Sequence, residues 1–470
     1  MAHEFRKREE HAELVKRFEE SLKLQTAVFF ELEQYEIIID YYLDRSKPAK
    51  ALKAVDKAMD QFPYSSELLP LKANILSQLE QYEEALDILS TSRNLQPQDV
   101  DVLLSIGSIY SLQGKHQDAI AIYEEALTMT EDEQDEIFYH LGLAHQSLDD
   151  FDKAIGYYKK SIESNIRHEG ALYELAYCLD IVGQLEASLS YYRKFIDEDP
   201  FSAAAWYNLG IVCNKLEKYD EALEAYEYGI ALDETFASAH YNMGNTYMNL
   251  EQFTKALDAF RKTIELEGPS PEVYCCMGAA YEGLSQFELG LKYFQKSAKL
   301  DPLYDEAWYG AGNCLEKQEN WYQALHFYNK CIKLNPHNAE YWKAAAHAEF
   351  KIGNTISSIS AYEEASHLSP EDKEIWLNWS FIYYEQGEHA KAVEVLAQGM
   401  EERPDESEFL YRMAVYLIEA GRFKEALNYL ENGLILDFQG HTVLFDFFQN
   451  NETQKALYKI IEQFRKDHHS

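Results

Sequence analysis

Apolar residues recur at helical spacing along most of the chain, in pairs of segments separated by short polar turns. One such pair carries its apolar side chains at Trp206, Leu209, Cys213, Ala222 and Tyr226. Spacings of three and four residues place such side chains on one face of a helix. The pattern therefore predicts two amphipathic helices joined by a turn.

The helix pair is repeated with a period of 34 residues. Twelve copies fill residues 32–440, and every step is 34 residues except one of 35. Their first residues, which define place 1 of each copy, are Leu32, Ser66, Val100, Asp135, Glu169, Ala203, Ala237, Pro271, Asp305, Ala339, Lys373 and Ser407. A constant period of this length indicates a repeat array rather than two or three ordinary domains.

The size of the residues is repeated as well as the interval. Place 8 is small in every copy but the first, place 20 is small in all twelve, and place 24 is always large and apolar or aromatic. Small residues let two helix backbones approach closely, and a large residue one turn away fills the remaining space. Five glycines stand where the first helix must end in the left-handed region: Gly114, Gly183, Gly353, Gly387 and Gly421. Proline ends the second helix in seven copies.

These features resemble the tetratricopeptide repeat family. The phrase WYNLG at Trp206 to Gly210, the small residue at place 20, the aromatic at place 24 and the proline all match its pattern. The resemblance implies an all-α fold, a right-handed α-α superhelix (solenoid) of about twelve repeats with helical caps. Ile39, Phe195 and the stretch EGPSP at Glu267 to Pro271 depart from the pattern, and we expect them to perturb the regular stacking.

The two ends of the chain carry further helical stripes. Residues 1–31 have one that includes Phe18, and residues 441–470 have one that includes Ile461. A terminal repeat exposes an apolar face, so we expect helical caps at both ends. The alternative is a homodimer through the ends, for which the stretch FDFF at Phe445 to Phe448 is the candidate.

The amino-acid composition restricts the classes of partner that the protein is expected to bind. The 43 basic and 81 acidic side chains give a formal charge of −38, which repels nucleic acid and anionic lipid. That charge serves either solubility or a preference for basic partner segments. We expect no membrane insertion, because no run approaches the roughly 20 apolar residues that cross a bilayer. The six cysteines show no CxxC spacing and the N-terminus has no secretory signal, so a cytoplasmic location is expected.

A search for catalytic motifs predicts no enzyme, no cofactor and no metal. GxSxG and HExxH are absent, and the nearest phosphate-loop match, Gly107 to Lys115, has six residues between its glycines instead of four. His140 and His145 lie five residues apart, whereas helical metal ligands need three or four. We expect all six tryptophans to be packing residues, which leaves none for a ligand cage.

By resemblance to the family, places 2, 5, 6, 9 and 12 line a concave groove. Place 5 carries a ladder of tyrosines, which are enriched in binding surfaces: Tyr139, Tyr173, Tyr207, Tyr241, Tyr309 and Tyr411. Beside it lie amides that can hold the main chain of an extended peptide: Asn208, Asn242, Asn245 and Asn313. The alternative is that these are simply common residues of the repeat. Place 2 is acidic in nine repeats and neutral at Gly170, Ala204 and Ser238. We therefore expect a partner with basic flanks. The alternative is that these acidic residues are solvated and only stabilise the N-termini of their helices.

One further set resembles the two-carboxylate clamp by which some family members hold the C-terminus of heat-shock chaperones. Lys343, Asn378 and Arg412 fall at three of its five places. His347 and Glu408 take the other two, and Glu408 would repel a carboxylate.

The sequence therefore predicts a non-catalytic scaffold or adaptor that holds a peptide or protein segment in its groove. A regulatory subunit or co-chaperone with a degenerate clamp, and a self-assembling structural protein, are the alternatives.

Overall fold

The structure is a computed structural model, and it describes residues 2–24, 28–63, 65, 67–130, 134–447 and 451–468. These residues form helices and turns, with no strand among them. The chain divides into two compact units, Met1–Glu234 and Thr235–Ser470. Each unit is a succession of helix pairs, which confirms the predicted all-α repeat fold.

The described residues of the first unit form thirteen α-helices and a short 3-10 turn at Leu185–Ala187. The helices are α1 (Ala2–Leu24), α2 (Leu32–Leu43), α3 (Pro48–Gln61), α4 (Leu68–Gln78), α5 (Tyr82–Leu95), α6 (Val100–Leu112), α7 (His116–Leu127), α8 (Gln134–Gln146), α9 (Phe151–Ser164), α10 (Glu169–Ile181), α11 (Ser188–Glu198), α12 (Ala203–Lys215) and α13 (Tyr219–Leu232).

In the second unit, the part of the chain that the structure describes forms fourteen α-helices and a 3-10 segment at Phe438–Val443. The helices are α14 (Ala237–Asn249), α15 (Phe253–Glu267), α16 (Pro271–Gly283), α17 (Phe287–Leu300), α18 (Asp305–Lys317), α19 (Trp321–Leu334), α20 (Ala339–Ile352), α21 (Thr355–Leu368), α22 (Lys373–Glu385), α23 (His389–Glu402), α24 (Ser407–Glu419), α25 (Phe423–Leu436), α26 (Leu444–Phe447) and α27 (Asn451–His468). Across both units, ten of the twelve repeats begin their first helix at place 1.

The contact between place 8 and place 24 sets the distance between the two helices of a repeat. In six repeats the place-8 residue is a glycine, and a Cβ built on it would lie 2.3–2.8 Å from the nearest atom of the place-24 ring. The pairs are Gly107 with Tyr123, Gly142 with Tyr158, Gly210 with Tyr226, Gly244 with Phe260, Gly278 with Phe294, and Gly312 with Tyr328. Real Cβ atoms do not approach rings so closely, so the large residue occupies the volume that the glycine leaves. The packing role predicted for these places is confirmed.

The turn between the helices has the same backbone conformation in every repeat. The five predicted glycines have φ between +71° and +94°. The other seven repeats place an ordinary residue in the same left-handed region, with φ between 51° and 59°: Ser46, Glu80, Asp149, Glu217, Glu251, Ser285 and Glu319. The left-handed region costs an ordinary residue roughly 1–2 kcal/mol, so packing of the helix pair offsets this strain in those repeats.

Tryptophans at place 4 join one repeat to the end of the one before it. In four repeats the indole N–H donates a hydrogen bond of 2.7–3.0 Å to the carbonyl of the preceding exit proline. The donors are Trp206, Trp308, Trp342 and Trp376. Their predicted packing role is confirmed, and it includes a polar link between successive repeats.

The three departures from the repeat pattern are accommodated locally. Ile39 and Phe195 are both buried in the core. In the repeat that contains Phe195, the second helix is shortened to α11 and begins after the 3-10 turn. In the stretch EGPSP, Gly268 adopts φ +89° and Ser270 accepts a hydrogen bond from the Val273 N–H, so α16 begins with a capped end.

Both ends of the chain pack apolar side chains onto the array. The Phe18 ring of α1 lies 5.8 Å from Phe30 and 6.1 Å from Tyr35, measured between centroids. At the other end, Leu457 and Ile461 of α27 are buried in the cluster formed by the last repeats. The assignment of the two ends as caps stays a prediction. Phe448, part of the candidate dimer stretch, lies outside the described residues.

Alanine substitution at two glycines of one repeat tests the place-8 constraint. Gly142→Ala forces a methyl group into the Tyr158 ring, which lies 2.4 Å from the built Cβ. We expect a loss of about 1–3 kcal/mol, typical of overpacking. The control is Gly156→Ala in α9, where a Cβ meets nothing within 4 Å. That change should stabilise by about 0.5–1 kcal/mol, because alanine restricts the unfolded chain. Urea unfolding followed by circular dichroism measures both, and equal midpoints for the two variants would contradict the account.

Candidate peptide-binding surface

We call places 2, 5, 6, 9 and 12 of the first helices the lining places. The structure puts their side chains in half-buried or exposed positions in most repeats, whereas places 3, 7, 8 and 10 are largely buried. The side chains at the lining places are therefore the ones on the first helix that are not used for packing and can contact a partner.

In the first unit, the predicted Tyr173 and Asn208 lie on one cavity of about 200 Å³, here called the Tyr173 cavity. Tyr173 is 52% exposed, and Tyr177 on the next turn of α10 is 45% exposed. Ile211 of α12 lines the same cavity. The cavity thus offers two accessible rings, a carboxamide and an aliphatic side chain, a combination suited to the main chain and apolar side chains of a peptide.

Tyr139 and Tyr207 are less accessible than Tyr173. The Tyr139 ring lies 4.7 Å from that of His168, and a Cβ built on Gly170 would lie 3.2 Å from its Cζ. The place-5 ring therefore covers place 2 of the following repeat. Because the ring lies so close, packing favours a small residue such as Gly170 at that place. Tyr207 is half-buried, with its ring 6.1 Å from that of Tyr226.

A larger cavity of about 460 Å³ in the first unit was missed by the sequence analysis. It is lined by polar side chains at lining places, including Asn74, Ser105, Ser108 and His140. The predicted set was limited to tyrosines of place 5 and nearby asparagines of the middle repeats, so it did not include these residues. Their positions at places 6 and 9 were the signal that could have found them.

In the second unit, Tyr241, Asn242 and Asn245 occupy half-buried positions on α14. The Tyr241 hydroxyl lies 3.7 Å from Sγ of Cys276, and burial raises the pKa of this phenol to about 12. The Asn242 carbonyl accepts a hydrogen bond from Thr246. Tyr241 therefore remains a neutral hydrogen-bonding group throughout the physiological pH range.

The structure brings residues from two predicted sets into one cavity of the second unit, here called the Tyr309 cavity. Its volume is about 250 Å³, and its lining includes Tyr309 and Asn313 from the peptide set and Lys343 and Asn378 from the clamp set. The Tyr309 ring lies 5.1 Å from that of Tyr341, measured between centroids. Three successive repeats contribute to this cavity, so a ligand there would contact α18, α20 and α22.

Carboxylates dominate the charge around the Tyr309 cavity. Burial opposes ionisation of Glu316, but hydrogen bonds from His347 and Tyr328 outweigh it and lower the pKa of this carboxyl group. Burial likewise disfavours the charged form of Lys343, yet hydrogen bonds to Asp372 and Glu340, each 2.7 Å, raise its pKa. Lys343 is thus charged and shared between two carboxylates.

At the end of the second unit, the lining places are already covered by the chain itself. We call residues 437–447 the tail segment. The fully buried Tyr411 at place 5 donates a hydrogen bond to the main-chain carbonyl of Asp437. The Phe447 ring lies 6.2 Å from Phe381 at place 9 and 5.7 Å from Tyr384 at place 12. The ladder therefore has no open member at Tyr411, and Phe447 packs on the chain's own helices.

The remaining clamp residue, Arg412, lies beneath the tail segment. Its guanidinium carbon is 4.3 Å from the Phe447 ring centroid, and its Nη2 is 3.7 Å from a Glu408 oxygen. The structure does not bring Arg412 to the Tyr309 cavity with Lys343 and Asn378. A bound carboxylate would have to compete with Glu340, Asp372 and Glu408 for these two cations, and the clamp stays a prediction.

Family comparison matches most of the chain. The model for the Psidin N-terminal TPR repeats region matches residues 38–157. Further tetratricopeptide repeat models match residues 170–202, 191–224, 212–251, 237–268, 305–338, 353–414 and 383–439. The chain belongs to the tetratricopeptide repeat family.

Individual relatives cover smaller parts of this tetratricopeptide repeat protein. The photosystem I assembly protein Ycf3 of Rippkaea orientalis is 31% identical over 93 residues, which is 19% of this chain and 54% of that protein. The human protein O-mannosyl-transferase TMTC1 is 30% identical over 105 residues, 22% of this chain and 12% of that protein. The chain therefore spans about half of the first relative and about an eighth of the second. Among solved structures, yeast Tom70 matches with a TM-score of 0.42 and 14% identity, over 86% of this chain and 96% of Tom70.

The described part of the chain offers binding chemistry in the form of rings, amides and carboxylates. It contains no group of three or more His, Cys, Asp or Glu side chains placed to hold a metal ion. Its helices include none that is long and apolar enough to cross a bilayer. All six cysteines are free thiols.

Removing the Tyr411 hydroxyl tests the contact with the tail segment. Tyr411→Phe removes the side-chain donor to the Asp437 carbonyl, and the loss of such a bond costs about 1 kcal/mol. We expect the amides of residues 438–447 to exchange faster with deuterium, as followed by mass spectrometry. Tyr173→Phe is the matched control, because the Tyr173 side chain is 52% exposed. Unchanged exchange in Tyr411→Phe would show that this bond does not hold the tail segment in place.

Proposed function

We propose that the protein is a non-catalytic interaction scaffold or adaptor that binds an extended peptide or protein segment at the lining places. Membership of the tetratricopeptide repeat family supports a role in protein interaction. The Tyr173 cavity in the first unit and the Tyr309 cavity in the second are the proposed points of contact.

The observation that carries the proposal is the tail segment itself. A stretch of polypeptide lies on the lining places of the last two repeats, with a place-5 tyrosine donating to a main-chain carbonyl and aromatic residues at places 9 and 12 receiving a phenylalanine. The same places in other repeats carry Tyr173, Tyr177 and Tyr309 without such a cover. A partner segment can use them in the same way, through its main chain and one or two apolar side chains.

The charges of the Tyr309 cavity support a basic flank on the partner. Glu316 and Glu374 line the cavity, while the positive charge of Lys343 is matched by its two carboxylate partners. A lysine or arginine next to the bound segment would be attracted to these carboxylates, and an acidic residue would be repelled. The free thiols agree with the proposed cytoplasmic location, where such groups stay reduced.

A displayed library of random twelve-residue peptides tests the proposal with the purified full-length chain. Recovered peptides are synthesised, and their affinities are measured by fluorescence anisotropy. We expect Tyr173→Ala with Asn208→Ala, or Tyr309→Ala with Asn378→Ala, to raise the Kd of peptides bound at the corresponding cavity at least tenfold, since buried contacts of this kind contribute roughly 1–3 kcal/mol.

Tyr322→Ala is the matched control. Tyr322 is 74% exposed but lies on α19, a second helix, so its loss should leave the Kd unchanged. Peptides that bind all of these variants equally well would place the binding surface elsewhere and refute the proposal.

A further inference from the structure

A second cavity of the last repeats lies away from the lining places. It has a volume of about 640 Å³ and is formed by α21, α22 and α23. Trp376 and Trp379 form its aromatic wall, with ring centroids 5.7 Å apart and an interplanar angle of 23°. We call it the Trp376 cavity. It was not expected from the sequence, which gave both tryptophans only packing roles.

Other repeats of the same chain show what this position accepts. In three repeats the lysine at place 26 lies over the rings of places 4 and 23, with Nζ between 3.8 and 5.6 Å from the ring centroids. They are Lys160 over Phe138 and Tyr157, Lys296 over Tyr274 and Tyr293, and Lys330 over Trp308 and Phe327. An ammonium group is attracted to the face of an aromatic ring, so these three repeats supply their own cation to their own rings.

The repeat that contains Trp376 lacks this cation. Its place 26 is Gln398 and its place 23 is Val395, and both line the cavity. Its place 7 is Trp379, where the neighbouring repeats have Ala345 and Met413. The repeat therefore has a second tryptophan and no place-26 lysine, and the helices leave 6% of Trp376 and 9% of Trp379 exposed towards the cavity.

The charge around the Trp376 cavity suits a cation from outside. Glu363, Glu394 and Glu402 line it, and none of them forms an ion pair within the described residues. The lysine of the lining, Lys391, is ion-paired with Glu388 and has its Nζ 5.4 Å from the Tyr383 ring centroid. Its charge is thus matched by Glu388 and, at longer range, by Glu394, whereas Glu363 and Glu402 form no ion pair among the described residues.

The site also contains an unused hydrogen-bond donor. Trp379 is 9% exposed, and its indole Nε1 is buried without an acceptor in the described part of the chain. A buried donor without an acceptor costs free energy, which a ligand carbonyl would recover once a side-chain shift opens Nε1 to the cavity. The carbonyl of a peptide main chain is such an acceptor.

We propose that the Trp376 cavity binds an arginine or lysine side chain of a partner protein segment, in the position that the place-26 lysine occupies in other repeats. The cation lies against the Trp376 and Trp379 rings and is paired with the carboxylates of Glu363, Glu394 and Glu402. This site lies on residues outside the lining places, so it goes beyond the proposed groove function.

The test uses ¹⁹F NMR of the full-length chain labelled with 5-fluorotryptophan, with resonances assigned by Trp376→Phe and Trp379→Phe. The probe is acetyl-Gly-Arg-Gly-amide, and acetyl-Gly-citrulline-Gly-amide is its neutral counterpart. We expect saturable shifts of the Trp376 and Trp379 resonances with the arginine peptide, little change of the other four, and at least tenfold weaker binding of the citrulline peptide.

Two lysine substitutions on α23 make the matched pair. Gln398→Lys supplies the missing internal cation, and it should weaken the arginine peptide at least tenfold without removing any aromatic surface. Ala397→Lys adds the same charge at an exposed neighbour outside the cavity lining and should change the affinity less than twofold. Circular dichroism checks the fold of both variants, and Glu363→Gln with Glu394→Gln gives a second loss of binding that does not depend on an added lysine.

Several outcomes would overturn the proposal. These are the absence of shifts in wild type, equal binding of the citrulline peptide, tighter binding of acetyl-Gly-Glu-Gly-amide, or full affinity in Gln398→Lys. The variant with Tyr173→Ala and Asn208→Ala should give wild-type titrations, so failure of this site and failure of the groove are separate results.

Discussion

The structure depends on one contact, seen in six repeats, in which a place-8 glycine receives the place-24 ring of the same repeat. Gly142 and Tyr158 are an example, because a single added carbon would lie 2.4 Å from a ring atom. The contact fixes how closely the two helices approach. The left-handed residue of the turn, at place 15, then directs the second helix back along the first. Since the interior is filled by these few places, the others are left to vary.

The lining places are the part that this packing leaves unused on the first helix. In the last two repeats the chain covers them with its own tail segment, whereas at Tyr173 and Tyr309 they border cavities. The same argument applies to the rings of places 4 and 23. Lys160, Lys296 and Lys330 at place 26 cover these rings in their own repeats, and the repeat with Gln398 has no such lysine.

Contacts within one repeat were predictable, because they recur with the period of the sequence. The small residues at places 8 and 20, the left-handed glycines such as Gly387 and the stacking of Trp308 on Phe327 all belong to this class. The site was predictable only in part. Tyr411 is held by the carbonyl of Asp437, and the charge of Lys343 is balanced by the carboxylate of Asp372. Both partners are brought into contact by the tertiary structure and do not follow from the 34-residue period. Glu251 reaches the same left-handed turn as the glycines, which residue preference alone does not indicate.

The most direct measurement of the central claim is site-specific photo-crosslinking to a bound peptide. A benzophenone amino acid replaces Ile211 in the Tyr173 cavity, Ala344 in the Tyr309 cavity, or Tyr322 on a second helix. Mass spectrometry then maps the attachment of a peptide that binds the full-length chain. The account predicts crosslinks from position 211 or 344 and none from position 322. Crosslinks from position 322 alone would contradict it, because the segment would then lie on the second helices rather than along the lining places.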